Sequence, residues 1–210
     1  MQDLCISPCN LCPRECLAVR SDGGLGFCLV DDKIKVARAA LHKWEEPCIS
    51  GKNGSGAVFF TGCNLRCVYC QNYEIAAGRR GKEVSVMRLA EIFLELEKKG
   101  AANINLVTPD HYVTGVAQAV VFARNRGLVC PVVYNCSGYE KQAVVRQLSG
   151  IVDIYLTDFK YMDAGLAGRL SSAPDYPAVA SAALEEMVNA VGTPVFDEQG
   201  MMRKGVIVRH

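Results

Sequence analysis

Three cysteines, Cys63, Cys67 and Cys70, stand at C-x3-C-x2-C spacing in the stretch Cys63-Asn64-Leu65-Arg66-Cys67-Val68-Tyr69-Cys70, followed at once by Gln71 and Asn72. Three thiolates so spaced can wrap one face of a four-iron, four-sulfur cube and leave the fourth iron without a protein ligand. An iron with an open position can bind and reduce a ligand, whereas a fully ligated cluster only passes electrons. The same residues also suit part of a zinc tetrahedron, which takes four ligands, or plain buried thiols. Context favours the cluster. Residues 57–61 read as a short apolar strand and Gly62 opens the loop. The C-terminal end of a strand is where α/β folds place their chemistry.

A second group crowds the first 28 residues: Cys5, Cys9, Cys12, Cys16 and Cys28. Cys9-x2-Cys12-x3-Cys16-x11-Cys28 offers four thiolates, enough for a closed site, with Cys5 either the spare or a competitor of Cys9. Pro8 and Pro13 make turns, and Gly23, Gly24 and Gly26 let the chain double back to Cys28. So short a segment buries little core and needs a metal staple. Zinc and an iron–sulfur cluster both fit Cys-only ligands.

The elements that must position these groups follow from periodicity. Residues 34–40 read as a strand; 85–99 as a helix with Leu89, Ile92, Phe93 and Leu96 on one face. Strands at 103–108, 129–134, 151–157 and 205–209 alternate with helices at 113–126, 139–148 and 177–191. That alternation implies βαβ units and a parallel sheet. The strand ends carry Thr108-Pro109-Asp110-His111, Asn135-Cys136-Ser137, Asp158-Phe159-Lys160 and Arg209-His210. In a barrel-like fold they converge with the cysteine loop on one face.

Composition narrows the classes. The chain has 210 residues, half of them hydrophobic, and a formal net charge of +1. That is room for one substantial domain plus an appendage, expected as a Cys-rich lead-in over 1–50 and a partial barrel over 51–210. Near-neutral charge points away from nucleic acid and toward a small-molecule or protein substrate. No apolar run approaches the roughly 18 residues of a membrane span. The N-terminus lacks a signal-peptide pattern, so a cytoplasmic location is expected. Eleven cysteines in short-spaced clusters then read as metal ligation rather than disulfides.

Cys63 to Asn72 resembles the signature loop of the radical S-adenosylmethionine (SAM) enzymes. The likeness is closest to the branch similar to pyruvate formate-lyase activating enzymes, where an aromatic residue such as Tyr69 precedes the third cysteine. It extends to Glu45-Glu46-Pro47-Cys48-Ile49-Ser50-Gly51 and Gly54-Ser55-Gly56 before the loop, and to 103–112 and 153–161 after it. The resemblance implies a 4Fe–4S cluster on Cys63, Cys67 and Cys70 and a partial (β/α) barrel. It also implies one-electron cleavage of SAM to methionine and a 5′-deoxyadenosyl radical, with SAM itself held by strand-end residues. Thr108, Asp110 and His111 match the stretch that meets the SAM ammonium, with Asp110 a departure from the usual Thr. Asp158 and Lys160 resemble an Asp-x-Lys pair whose lysine meets the carboxylate; Arg209 resembles a fifth-strand arginine reaching SAM, and Asn135 and Ser137 suit the ribose.

The same likeness suggests an electron donor such as flavodoxin or ferredoxin and, as substrate, a glycine Cα–H on a partner glycyl radical protein. Relatives continue past the Arg-His pair to a sixth strand, so a barrel one strand short with an exposed edge is expected. The alternatives are radical chemistry on another substrate, a zinc-stabilised binding protein, and a cluster-binding chain without turnover.

Overall fold

The computed structural model describes residues 8–210; Cys5 lies outside the described residues. The strands are β1 (Lys35–His42), β2 (Ser55–Phe60), β3 (Lys82–Glu83), β4 (Ile104–Val107), β5 (Val132–Cys136), β6 (Ile154–Asp158), β7 (Val195–Phe196) and β8 (Met202–Arg209). The helices are α1 (Pro47–Ser50), α2 (Tyr73–Ala76), α3 (Val86–Lys98), α4 (Val113–Asn125), α5 (Gln142–Gln147), α6 (Ala164–Ser171) and α7 (Tyr176–Val191), with 3-10 turns at Arg20–Asp22 and Asp110–Tyr112. One sheet runs in the order β3-β1-β2-β4-β5-β6-β8-β7. Its centre, β2, β4, β5, β6 and β8, is parallel, and β1 joins β2 antiparallel, so the sheet itself crosses residue 50.

Register explains how the sheet divides its labour. Val58, Leu106, Tyr134 and Tyr155 are cross-strand neighbours in one row. Side chains alternate along a strand, so this row faces one side. There α3 and α4 pack Leu89, Phe93, Val116 and Val120 on the first part of the sheet. Helices α5 and α7 bring Val144, Val145, Met187 and Val191 onto Tyr134 and Tyr155. The next row, Phe59, Val107, Asn135 and Leu156, faces the other way. On that face a smaller core of Ile49, Val133, Ile154, Leu156 and Met202 closes the base and leaves the strand ends open.

Helix α3 buries Leu89, Ile92, Phe93 and Leu96, the face its periodicity predicts, and Ser85 caps it by accepting from the Arg88 N–H at 3.1 Å. Several expectations need correction. The strand expected at 129–134 lies at Val132–Cys136, because Pro131 has no N–H to give a ladder. The helix expected at 139–148 begins only at Gln142, since Tyr139 and Glu140 turn into the core after Gly138 at φ 78°. The edge beyond the fifth parallel strand is not bare. β7 pairs antiparallel with β8, Val195 with Lys204 and Phe196 with Met202. Helix α6, hidden by Gly165 and Gly168, was not anticipated.

Candidate active site

The cysteine loop leaves β2 through Gly62 at φ 95°. A Cβ there would lie 2.7 Å from the Cys28 carbonyl oxygen and 3.0 Å from both Val30 methyls, so only glycine permits this approach. Three elements then hold the loop. Asn64 is fully buried; its Nδ2 donates to the Tyr139 carbonyl at 2.9 Å, and its Oδ1 accepts from the Ser137 hydroxyl. Leu65 packs among Tyr139, Tyr161, Ala167, Ala173 and Tyr176. The end of α6 accepts the Val68 N–H at the Leu170 carbonyl, 2.9 Å.

The protein supplies hydrogen bonds to two of the three sulfurs. The Leu65 N–H points at Cys63 Sγ from 3.4 Å, and the Ser171 hydroxyl donates to Cys67 Sγ at 2.9 Å. Behind Ser171 the Tyr161 hydroxyl stands at 2.7 Å and is bonded in turn to the Tyr69 hydroxyl. Burial raises the Cys63 thiol above its ordinary range, and the charges of Asp110, Cys67 and Cys70 add to the effect. A metal would displace such protons.

Cys63, Cys67 and Cys70 share a cleft of about 600 Å³ with Thr108, Asn135, Ser137, Asp158, Lys160 and Arg209. In the sheet Asp158 sits directly opposite Arg209. The Arg209 Nε donates to Asp158 Oδ1 at 3.0 Å and a terminal nitrogen to Asn135 Oδ1 at 2.8 Å. The Lys160 ammonium pairs with the other Asp158 oxygen. Glu45, which also lines the cleft, approaches Arg209 at 3.7 Å and His42 at 3.8 Å. Sequence reasoning gave Glu45 no role; only the fold draws it to β8. Thr108 holds φ 57° at the end of β4, a strained geometry for a β-branched residue, and its N–H donates to the Asn135 carbonyl.

Asp110 and His111 are not brought to this cleft. Both are buried, His111 with Nε2–H donating to the Thr61 carbonyl at 2.7 Å. Burial pushes the imidazole down to about 3, so it stays neutral. Burial pushes the Asp110 carboxyl up to about 6, beside Glu140, which is raised well above the usual range by burial and by the Asp110 charge. These residues buttress the back of the loop. Tyr176 was also missed. Its buried hydroxyl lies 2.7 Å from the Ser137 carbonyl and accepts the Lys160 N–H at 2.9 Å, tying the ends of β5 and β6 together. Within the sequence it stands just before the helix expected at 177–191; no local signal marks its role.

Among the described residues, no three or more His, Cys, Asp or Glu side chains gather at metal-ligating distance. The three thiols on one cleft wall, two of them already receiving hydrogen bonds, nevertheless form a donor set that fits an iron–sulfur cluster. No described helix is long and apolar enough to cross a membrane.

The model of the Radical SAM superfamily matches residues 57–163, about half of the chain and all three loop cysteines. The chain is also 28% identical over 177 residues to "Uncharacterized protein MJ0674" of Methanocaldococcus jannaschii. That alignment covers 80% of this chain and 50% of the relative, so the chain spans about half the relative's length.

Proposed function

This chain belongs to the radical SAM superfamily, and from that premise we propose that its cleft binds SAM against a 4Fe–4S cluster held by Cys63, Cys67 and Cys70. When bound, the pair supplies one-electron cleavage of the sulfonium and a 5′-deoxyadenosyl radical that abstracts hydrogen. The chain's own residues bind and orient. Lys160 and Arg209 meet the SAM carboxylate, and Asp158 and Glu45 hold those two cations in place while offering acceptors to the ammonium. Asn135 and Ser137 take the ribose. Thr108 lines the floor, and Leu65, Ile75 and Val107 supply an apolar wall that excludes water. Asp110 and His111 have no part in this contact set. The observation that carries the reading is a single cleft lined on one side by three thiols and on the other by the polar ends of β4, β5, β6 and β8.

A glycine Cα–H of a partner protein is the substrate we favour, with a flavodoxin or ferredoxin as electron donor. The support is the likeness of the Cys63–Asn72 loop and the Asp158-x-Lys160 pair to the activating enzymes.

Anaerobic reconstitution with iron and sulfide, followed by electron paramagnetic resonance with and without SAM, tests the core of this. The reduced cluster signal is expected to shift on adding SAM and to vanish in Cys63→Ala/Cys67→Ala/Cys70→Ala. Lys160→Ala should raise the SAM concentration for half the shift by about 10- to 100-fold, as for loss of one charge-assisted hydrogen bond of about 1.5–3 kcal/mol. Uptake of zinc in place of a cluster, or a signal indifferent to SAM, would refute the reading.

A further inference from the structure

We propose that Cys9, Cys12, Cys16 and Cys28 hold one thiolate-bound metal centre, and that this centre clamps the Cys63–Cys70 loop from behind; the clamp rests on that loop being the cluster loop proposed above.

The segment bearing these thiols has little regular structure to order it. Between residues 8 and 34 the regular structure is one three-residue turn, Arg20–Asp22. Yet the backbone is held in costly shapes at the thiols themselves. Glu15 (φ 40°) and Leu17 (φ 53°) flank Cys16, and Leu29 (φ 63°) follows Cys28. These are three of the five non-glycine residues with positive φ among those described. Each left-handed residue costs on the order of 1–2 kcal/mol and persists only where its surroundings over-determine it. A short segment lacks the core to do that, whereas four metal–thiolate bonds would suffice.

The thiols also lie near one another. A Cβ on Gly26 would lie 3.1 Å from Cys28 Sγ and 3.5 Å from Cys16 Sγ, so glycine clears the space that the two sulfurs fill. Cys12 lies within electrostatic reach of Cys9 and Cys28, and Cys28 within reach of Cys9 and Cys16. Arg20, 2% exposed, brings a guanidinium within 3.8 Å of Cys9 Sγ while donating to the carbonyls of His111 and Asp31. Four thiolates around a divalent ion or a cluster core carry net negative charge, and a buried centre of that sign needs such a cation beside it. The sulfurs are not drawn to a common point, but neither are those of Cys63, Cys67 and Cys70.

The clamp is drawn in hydrogen bonds. The Cys28 carbonyl accepts the Cys63 N–H at 3.3 Å. Arg14 donates through Nε to the Asn64 carbonyl at 2.8 Å, and its terminal nitrogens reach the carbonyls of Ser171 and Ser172. The guanidiniums of Arg14 and Arg66 lie over the Phe27 ring at 4.0 and 4.2 Å. Two consecutive residues of the cluster loop thus hang on the thiol segment.

Zinc and an iron–sulfur core share this ligand chemistry, and metal analysis separates them. The Cys63→Ala/Cys67→Ala/Cys70→Ala chain, purified anaerobically, is expected to retain about one zinc or about four irons with sulfide. Adding Cys12→Ser/Cys16→Ser should remove that metal. A triad variant that is folded by circular dichroism yet holds neither metal overturns the centre. Equal iron in the wild-type chain and the triad variant would sink the cluster loop of the proposed function, and with it the clamp, while the N-terminal metal stood. For the clamp, Arg14→Ala leaves every thiol in place. Tryptic cleavage after Arg66 should then speed up about tenfold, as for loss of one charge-assisted bond, with N-terminal metal unchanged. Unchanged cleavage in both Arg14→Ala and Cys12→Ser/Cys16→Ser overturns the clamp.

Discussion

Ser171 donates to Cys67 Sγ and is itself backed by the hydroxyls of Tyr161 and Tyr69. A hydrogen bond to a cluster thiolate stabilises the more negative, reduced state and so raises the potential. Ser171→Ala should therefore lower the reduction potential of the reconstituted cluster. One neutral hydrogen bond is worth about 1 kcal/mol, or about 40 mV for one electron. Tyr161→Phe should move it the same way by less, because it acts only through Ser171. A potentiometric titration followed by electron paramagnetic resonance would read this, and an unchanged or raised potential in Ser171→Ala would remove the hydroxyl chain from the cluster's electrostatics. The Asp158–Arg209 pair belongs to the same scale. Its partners are adjacent in register, and both are half-buried in a cleft rather than solvated on a surface.

At the scale of elements, α3 and α6 make opposite cases. Helix α3 announces itself by period and cap, and Ser85→Ala should cost about 1 kcal/mol of stability in urea titration by orphaning the Arg88 N–H. Helix α6 is short and carries two glycines, yet its end carries the carbonyls and the hydroxyl that hold the cysteine loop. Gly168 lies mid-helix, where a Cβ would meet Pro174 Cβ at 3.4 Å, ordinary contact. Gly168→Ala is thus expected to raise stability by roughly 0.5–1 kcal/mol through the unfolded chain. A lower melting temperature would mean that the helix needs the glycine for its docking.

For the whole molecule, the buried turn Asp110–Tyr112 links fold and pH. His111 falls from its ordinary 6.5 to about 3 on folding. Its contribution is therefore complete above pH 6.5 and is lost as pH drops toward 3, a span worth on the order of 5 kcal/mol. Asp110 rises from 3.8 to about 6, so its contribution is complete below 3.8 and is lost as pH climbs to 6. Between about pH 4 and 6 the two slopes oppose each other. Asp110→Asn removes one of them, and denaturation midpoints of that variant should fall more steeply than wild type on acidification from pH 6 to 4. Parallel curves would show that Asp110 does not titrate against folding.

The sequence by itself determined the cysteine loop, the alternation that makes a parallel sheet, and the polar residues at its strand ends. All three are local: ligand spacing, side-chain period and turn chemistry are written within a few adjacent positions. Tertiary structure decided which of those polar residues meet. Two neighbours in the chain part company after β4, because Thr108 stays at the strand end while Asp110 turns into a 3-10 turn and is buried. Glu45, Tyr176 and Ser171 join the site only because the loop after β1, the start of α7 and the end of α6 come together at the cleft. No local period encodes a contact between residues a hundred positions apart; packing alone selects it.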